Sequence, residues 1–176
     1  MVEIKELLDL DKTIAKELFD GKTYPWEVLD GIKDFILKLG PTLDANEFDN
    51  PSEGVWVAKD AKVFTSAYLG APCIIDHGAE IRHCAFIRGS AIVGKNAVVG
   101  NSVELKNVVL FDNVQTPHYN YVGDSVLGYK AHMGAGSITS NVKSDKLPVV
   151  IHNEGEEIET GRKKVGAMLG DYVEVG

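Results

Sequence analysis

Apolar side chains recur at every sixth position in the middle of the chain, between Val57 and Leu105. The nine positions of this series are Val57, Val63, Leu69, Ile75, Ile81, Ile87, Val93, Val99 and Leu105. A small residue, or in one repeat a valine, follows each of the first eight positions after four residues. A period of six fits neither an amphipathic helix nor an alternating strand, and it is typical of a parallel β-helix. The pattern therefore predicts a mainly β solenoid whose interior is filled by the periodic side chains.

The chain before the repeats predicts a helical segment. Residues 3–40 place apolar side chains at spacings of three and four, with a break at Gly21 and an end at Gly40-Pro41. We expect this segment to cover the unpaired backbone groups of the first coil or to act as an interaction arm. Residues 41–54 contain two prolines and are predicted to be a linker. The expected organisation is a helical cap and linker over residues 1–54, followed by the β-helix over residues 55–176.

Two stretches are expected to break the repeat. One is Gln115-Thr116-Pro117-His118, because proline cannot donate a hydrogen bond to a ladder of strands. The other is an insertion over residues 142–160, which predicts a hairpin-like loop with a turn at residues 153–155. Because loops on a repeat scaffold tend to carry the chemistry, both stretches are candidate functional sites.

The charge and the cysteine content of the chain limit its possible binding partners and its cellular location. The net charge is −8, and residues 1–54 hold 6 lysines against 13 acidic residues. An acidic head and a near-neutral body argue against nucleic acid as a partner, since phosphate binding needs a basic surface. The sequence has no apolar run long enough for a membrane span and no basic-then-apolar leader. Cys73 lies at one of the small interior positions and is predicted to be a buried free thiol, and a cytoplasmic location follows as the default.

The residues around His118 form two motifs. Their sequences are Pro117-His118-Tyr119-Asn120-Tyr121-Val122-Gly123-Asp124 and Gly134-Ala135-Gly136-Ser137-Ile138-Thr139-Ser140-Asn141. These motifs resemble the hexapeptide-repeat acyltransferase family, in particular the acetyltransferase domain of bifunctional glucosamine-1-phosphate acetyltransferase/N-acetylglucosamine-1-phosphate uridyltransferase. The resemblance extends from about residue 82 to residue 176. It implies a left-handed β-helix, a homotrimer and an acetyl-CoA-dependent N-acetyltransferase of UDP-N-acetylglucosamine biosynthesis.

The resemblance also assigns roles to single residues of the two motifs. His118 would be the general base, a role that suits an imidazole because it can take up a proton near neutral pH. Tyr121 and His132 would line the sugar site, although the family usually has asparagine at the position of His132. Ala135 would direct its backbone N–H at the thioester of acetyl-CoA, where it would stabilise an oxyanion. Asn141 would lie on the acetyl-CoA side.

Three cations match the family's phosphate-binding positions, namely Arg88, Lys106 and Lys164. Independently of the resemblance, Arg88 and Lys106 are one coil of three six-residue repeats apart, so we expect them to stack at one corner. The implied acceptor is a hexosamine 1-phosphate, either glucosamine 1-phosphate or galactosamine 1-phosphate. The sequence lacks a glycine-rich nucleotidyl-binding segment, so no uridyltransferase activity is expected.

Two other functions stay open at this stage. The family has further coils beyond the position of Gly176 that complete its acetyl-CoA cleft, so one alternative is a non-catalytic chain that binds a sugar phosphate or sugar nucleotide. The other is a γ-type zinc carbonic anhydrase, because His83 and His118 have the spacing of two of its ligands. The position of the third ligand holds Gly123, which cannot bind a metal. We therefore favour the transferase and expect no metal site.

Overall fold

The six-residue period corresponds to stacked coils of short parallel strands in the computed structural model, which describes residues 2–176. The helical elements are α1 (Ile4–Leu7), α2 (Ile32–Leu39) and the 3-10 turns Leu10–Lys12, Lys16–Phe19, Pro25–Val28 and Gly40–Thr42. The strands are β1 (Phe48–Ser52), β2 (Val55–Ala58), β3 (Lys62–Val63), β4 (Tyr68–Leu69), β5 (Cys73–Ile75), β6 (Glu80–Ile81), β7 (Phe86–Ile87), β8 (Ala91–Val93), β9 (Val98–Asn101), β10 (Glu104–Leu110), β11 (Gln115–His118), β12 (Tyr121–Leu127), β13 (His132–Met133), β14 (Val150–Asn153), β15 (Glu156–Glu159), β16 (Met168–Leu169) and β17 (Glu174–Val175).

The parallel strands form the three sides of the β-helix. Side 1 contains β2, β5, β8, the second halves of β10 and β12, and β16. Side 2 contains β4, β7 and the first halves of β10 and β12. Side 3 contains β3, β6, β9, β11, β13 and β17. This confirms the mainly β, parallel β-helix class, while the left-handed winding stays a prediction from the resemblance.

The periodic aliphatic side chains from Ile75 to Leu105 fill the interior, as predicted, whereas Val57, Val63 and Leu69 in the first coil are partly exposed. Ile75 pairs with Val93 and Ile87 pairs with Leu105, so that equivalent side chains of successive coils lie one above another. All four are fully buried. Cys73 lies among them as a free cysteine, and its burial raises the pKa of the thiol to about 12. The prediction of a buried free thiol is therefore confirmed.

The stretch Gln115–His118 continues the β-helix, so the predicted interruption was wrong. It forms β11 between β9 and β13, and Thr116 takes the interior position beside Val99. A strict six-residue count misses this continuation, because Leu110 follows Leu105 by only five residues at a shortened corner. Pro117 lies over Gly100, and this close approach requires the glycine, because a Cβ there would be 1.6 Å from the Pro117 carbonyl oxygen.

Residues with a positive φ mark the three corners of the coils. One corner holds Cys84, Ser102 and Tyr119, the second holds Asn96, Asn113, Lys130 and Tyr172, and the third holds Ser90, Asn107 and Asp124. Asparagine and aspartate tolerate this left-handed backbone better than most residues. The corners therefore bring polar side chains of successive coils into columns, and two of these columns border the candidate site.

The N-terminal segment lies along side 1 instead of capping the first coil. The outward-facing residues of side 1 are apolar, and those of the middle coils are fully buried, namely Ile74, Ile92, Val109 and Val126. α2 packs against β8 and β10, and the Phe19 and Phe111 rings meet edge to face at 5.7 Å. The predicted helix near the start of the chain was largely wrong, because only the short α1 and 3-10 turns form there.

The segment also reaches the last coil, through Asp171. The Asp171 N–H donates to the Leu7 carbonyl oxygen at 2.8 Å. The Asp9 N–H donates to the Asp171 carboxylate, also at 2.8 Å. The N-terminal segment therefore spans side 1 from its first coil to its last described coil.

The edge of side 1 in the first coil is covered by a strand from the predicted linker. β1 pairs antiparallel with β2, with Phe48 opposite Ala58 and Asp49 opposite Val57. The linker prediction was therefore wrong for β1, although the expectation that an edge would be covered was physically sound. The insertion does form the predicted hairpin, in which β14 and β15 are antiparallel.

We predict that Ile92→Ala lowers the free energy of unfolding by about 2–5 kcal/mol, because its outward side chain is fully buried beneath α2. The matched control is Val98→Ala, at an outward and partly exposed position of side 3, with an expected loss of about 1 kcal/mol or less. Urea unfolding of both variants measures the difference. Equal losses would contradict the packing of the N-terminal segment on side 1.

Candidate active site

His118 lies at the corner between sides 3 and 2, where β11 ends, and its side chain is exposed. Its carbonyl oxygen accepts a hydrogen bond from the Gly136 N–H at 3.0 Å. This bond joins successive coils and sets the loop of residues 134–137 directly beside His118. The structure thus brings together two residues that the sequence analysis selected, His118 and Ala135.

The Ala135 N–H differs from the neighbouring N–H groups in having no acceptor in the described part of the protein. Ala135 is exposed, and within residues 2–176 no protein acceptor lies within hydrogen-bonding distance of its N–H. The neighbouring donors are used, because the Gly136 N–H donates to His118 and the Ser137 N–H donates to the Gly134 carbonyl oxygen. A free N–H beside an exposed imidazole is the arrangement that acyl transfer requires, one group for the proton and one for the oxyanion.

Asn120 holds this corner together and was missed by the sequence analysis. Its side chain is buried, accepts from the His118 N–H and donates to carbonyl oxygens of Gly134 and Ser137. A signal was present, because the same column of small interior positions holds Ala85 and Val103 in the preceding coils. A polar residue in an apolar column indicates a buried hydrogen-bond partner.

The opposite edge of side 2 is organised around the Asp124 carboxylate. Lys106 donates to its two oxygens at 2.9 and 3.1 Å, Asn107 donates at 2.9 Å and Asn141 at 2.6 Å. Burial alone would raise the pKa of this carboxyl, but the hydrogen bonds from Lys106, Asn107 and Asn141 outweigh it and hold the pKa below its ordinary value. Asp124 was quoted in the motif, yet its role as the centre of this cluster was not predicted.

Arg88 and Lys106 are neighbours in successive coils, as their spacing predicted. Ile87 pairs with Leu105, so the residues that follow them lie side by side. Arg88 donates to the Glu104 carboxylate at 2.8 Å, and this hydrogen bond raises the pKa of the guanidinium above its ordinary value. Each of these two cations therefore has a carboxylate partner on an adjacent coil, which the sequence analysis did not foresee.

Tyr121 lies between the His118 corner and the Asp124 cluster. Its hydroxyl is 3.3 Å from the Asn141 side-chain nitrogen, and it passes over Gly123, where a Cβ would be 2.4 Å from that hydroxyl. The backbone from His118 to Gly123 spans at most about 18 Å. The predicted residues along side 2 thus form one continuous surface, with His118 at one end and Asp124 at the other.

Lys164 belongs to the Asp124 end of the surface. An open cleft there is lined by Lys106, Asn107, Asp124, Gly161, Arg162, Lys163, Lys164, Leu29 and Asp30. Arg162 binds the Asp30 carboxylate with both terminal nitrogens, at 2.6 and 2.5 Å. The N-terminal segment therefore forms one wall of this cleft and holds the loop that carries Lys164, a contribution that the sequence did not suggest.

His132 is not brought to His118 within one chain. It lies on side 3, opposite Gln115 and Glu174, and lines a separate polar groove with Lys130 and Tyr172. Because Gln115 is three residues before His118 on β11, the two histidines are offset by about 10 Å along the strand direction.

Metal-binding clusters and membrane-spanning helices are both missing from residues 2–176. Within residues 2–176, no group of three or more His, Cys, Asp or Glu side chains is arranged to hold a metal ion. His83, a candidate ligand in the carbonic anhydrase alternative, instead packs on the Phe64 ring at 4.3 Å. Across the same residues, no helix combines the length and the apolar character needed to cross a membrane.

Known proteins resemble parts of this chain. The family model described as the GMPPB C-terminal domain matches residues 69–176. The bifunctional protein GlmU of Methanococcus maripaludis is 38% identical over 68 residues, which is 39% of this chain and 16% of that protein. The bifunctional sugar-1-phosphate nucleotidylyltransferase/acetyltransferase of Sulfurisphaera tokodaii is 37% identical over 68 residues, 39% of this chain and 17% of that protein. The match thus spans about a sixth of the length of these relatives.

Solved structures include one similar protein in two states. The acetyltransferase domain of PglB from Neisseria gonorrhoeae has a TM-score of 0.49 and 18% identity, and covers 68% of this chain and 65% of its own. A second structure of that domain, in complex with acetyl coenzyme A, has the same values. The curated relatives confirm the resemblance seen in the motifs. Because the family model spans more than half of the chain, including every candidate site residue, the chain belongs to the family of the GMPPB C-terminal domain.

Proposed function

We propose that the chain is an acetyl-CoA-dependent N-acetyltransferase that acts on a hexosamine 1-phosphate in sugar-nucleotide synthesis. The observation that carries this proposal is the exposed His118 beside the free N–H of Ala135 in the next coil. The relative from Sulfurisphaera tokodaii, named as a bifunctional nucleotidylyltransferase/acetyltransferase, supports the same chemistry. The proposal keeps the cytoplasmic location that the sequence suggests.

The roles of His118 and Ala135 follow from the transfer of an acetyl group. Acetyl-CoA supplies that group when it is bound. An imidazole nitrogen of His118 takes a proton from the amino group of the sugar, whose nitrogen then forms a bond to the acetyl carbon. The Ala135 N–H donates to the carbonyl oxygen as negative charge develops there, and the carbon–sulfur bond then breaks. The proton held by His118 is available to the departing thiolate.

The Asp124 end of the surface is the proposed place for the sugar phosphate. Lys106 and Arg88 are each paired with a carboxylate, whereas Lys163 and Lys164 form no ion pair within the part of the chain that the structure describes. Lys164 is therefore the strongest candidate for a direct contact, because a charge-assisted hydrogen bond to phosphate needs an available donor. Tyr121 lies between the two ends, beside Asn141 of the Asp124 end, where the sugar and the acetyl donor would meet.

A homotrimer is part of the proposal, with the site completed between subunits. Tyr68, Phe86 and Ile138 are exposed apolar side chains on side 2, beside the surface that joins His118 to Asp124. A second copy on this side would cover them and bring further residues, His132 among them, toward the surface. Sedimentation equilibrium of the purified chain measures the oligomeric state, and a monomer at micromolar concentration would overturn this part.

We predict that His118→Ala lowers the turnover number by about 10²–10⁴, because the proton acceptor is lost. The measurement is thiol release from acetyl-CoA in the presence of glucosamine 1-phosphate or galactosamine 1-phosphate. The matched control is His152→Ala, which removes an exposed histidine from the inserted hairpin and leaves turnover unchanged. Retention of full turnover in His118→Ala would exclude His118 as the base. Phosphate-dependent binding without any thiol release would favour a non-catalytic sugar-phosphate-binding chain instead.

We predict that Asp124→Asn destabilises the protein above about pH 5, and that the destabilisation declines progressively as the pH falls below about 4. The folded state lowers the pKa of Asp124, so the carboxylate contributes stability above its unfolded pKa of about 3.9, and this stability is lost as the pH falls through the folded pKa. Urea unfolding of the wild type and the variant across this range measures the difference. The control is Asp20→Asn, at an exposed position of the N-terminal segment. A difference between wild type and Asp124→Asn that does not change with pH would contradict the cluster.

A further inference from the structure

Asn120 occupies a position that the preceding coils fill with hydrocarbon, while the next coil has Ser137 there. The Phe86 N–H donates to the Val103 carbonyl oxygen, and the Glu104 N–H donates to that of Asn120, so Val103 and Asn120 are equivalent in successive coils. Both are buried, and so is Ala85 one coil earlier. Burial of a primary amide costs free energy unless its donors and its acceptor are bonded. An asparagine in this column therefore requires hydrogen-bond partners for its side-chain amide.

The side chain finds its partners on both halves of the His118 corner. Its Oδ1 accepts from the His118 N–H at 3.2 Å. Its Nδ2 donates to the Gly134 carbonyl oxygen at 2.8 Å, and to the Ser137 carbonyl and hydroxyl oxygens at 3.1 and 3.2 Å. The Ser137 hydroxyl in turn donates to the Gly134 carbonyl oxygen at 2.7 Å. A single buried amide thus bonds the backbone of His118 and both ends of the loop that carries Ala135.

The loop has little else to hold it in place. It contains two glycines, and Gly136 has a φ of +76° with open space where a Cβ would stand. Besides the Asn120 bonds, the loop is tied by the Gly136 N–H to His118 and by the Gly134 N–H to the Val175 carbonyl oxygen. Loss of the amide would remove a donor from the Ser137 carbonyl oxygen and would break the link between His118 and the loop. The Gly134 carbonyl oxygen would keep its Ser137 donors, but the loop would be free to shift relative to His118.

We propose that Asn120 is a positioning residue for acetyl transfer, which sets the distance between the His118 imidazole and the Ala135 N–H. The inference rests on the proposed function and deepens it, because it names the group that fixes base and oxyanion donor relative to each other. Asn120 is buried and acts through its two neighbours, so it touches neither substrate. Misplacement of reacting groups by about 1 Å can cost a factor of about 10² in rate.

The first test compares Asn120→Ala with Thr116→Val. Thr116 is a buried polar residue of β11, whose hydroxyl donates to the Val98 carbonyl oxygen and makes no hydrogen bond to the loop. We expect Asn120→Ala to lower kcat by about 10²-fold, with less than about a threefold change in the KM of either substrate. Thr116→Val removes one buried hydrogen bond and should keep the wild-type kcat. A purely structural role for Asn120 would give both variants the wild-type kcat per folded molecule.

The second test uses Asn120→Asp, which keeps the shape of the side chain and covers the case in which Asn120→Ala does not fold. An ionised aspartate can accept from the His118 N–H but cannot donate to Gly134 or Ser137. A protonated aspartate can do both, so the deficit in kcat relative to wild type should shrink as the pH is lowered. A ratio of kcat values that is independent of pH, measured where both proteins are folded, would overturn the positioning role.

The two proposals fail in different ways. If the wild type transfers acetyl groups but Asn120→Ala keeps a kcat within about threefold of it, the positioning role is wrong and the proposed function stands. If the wild type releases no thiol with either hexosamine 1-phosphate, the proposed function is wrong and this inference falls with it. A loss in kcat for Asn120→Ala that recovers at low pH in Asn120→Asp supports both.

Discussion

The register between stacked coils is the constraint on which the rest of the molecule depends. Backbone hydrogen bonds hold neighbouring strands about 4.8 Å apart, and inward side chains such as Ile75 and Val93 lie over one another. Residues one coil apart in sequence therefore become neighbours in space, as His118 and Ala135 do at one corner and Lys106 and Asp124 at another. A slip by one residue would turn the interior side chains outward. The packing of the interior and the geometry of the candidate site are thus specified by the same pattern.

The limits of that pattern appear where a coil is shortened. The six-residue series predicts the interior from Val57 to Leu105, but it cannot show that the next interior residue, Leu110, follows after five. β10 bends through the corner without a break, and Asn107 provides the positive φ that the tighter turn needs. Once the shift is taken into account, Thr116 falls on the interior track and Pro117 ceases to be an interruption. The sequence contained this information only in combination with the pairing of the strands.

The position of the N-terminal segment was predictable in part. Its apolar spacings indicate that one face is buried, yet they do not say against what, because an apolar stripe packs equally well on any apolar surface. The surface that the N-terminal segment packs against is determined by the β-helix itself. Ile74, Ile92 and Val109 form a second apolar column that points outward from side 1. The equivalent outward positions of side 3 are mostly polar, with Glu80 and Gln115 on either side of the one valine, Val98. Side 1 thus has an inward and an outward apolar column, whereas side 3 has only the inward one. This difference predicts that side 1, of these two sides, is the covered one.

The residues of the candidate site could be selected from the sequence, but their electrostatic partners could not. Arg88, Lys106 and Arg162 are each paired with a carboxylate that lies more than ten residues away along the chain, the last with Asp30 of the N-terminal segment. Ion pairs of this kind hold long side chains in one geometry, at the cost of weaker attraction for an incoming anion. The net positive charge of the cleft then comes from Lys163 and Lys164, on the loop that Arg162 ties to Asp30. The acidic N-terminal segment therefore contributes to the site by holding the loop in place, and so it sets the positions of Lys163 and Lys164.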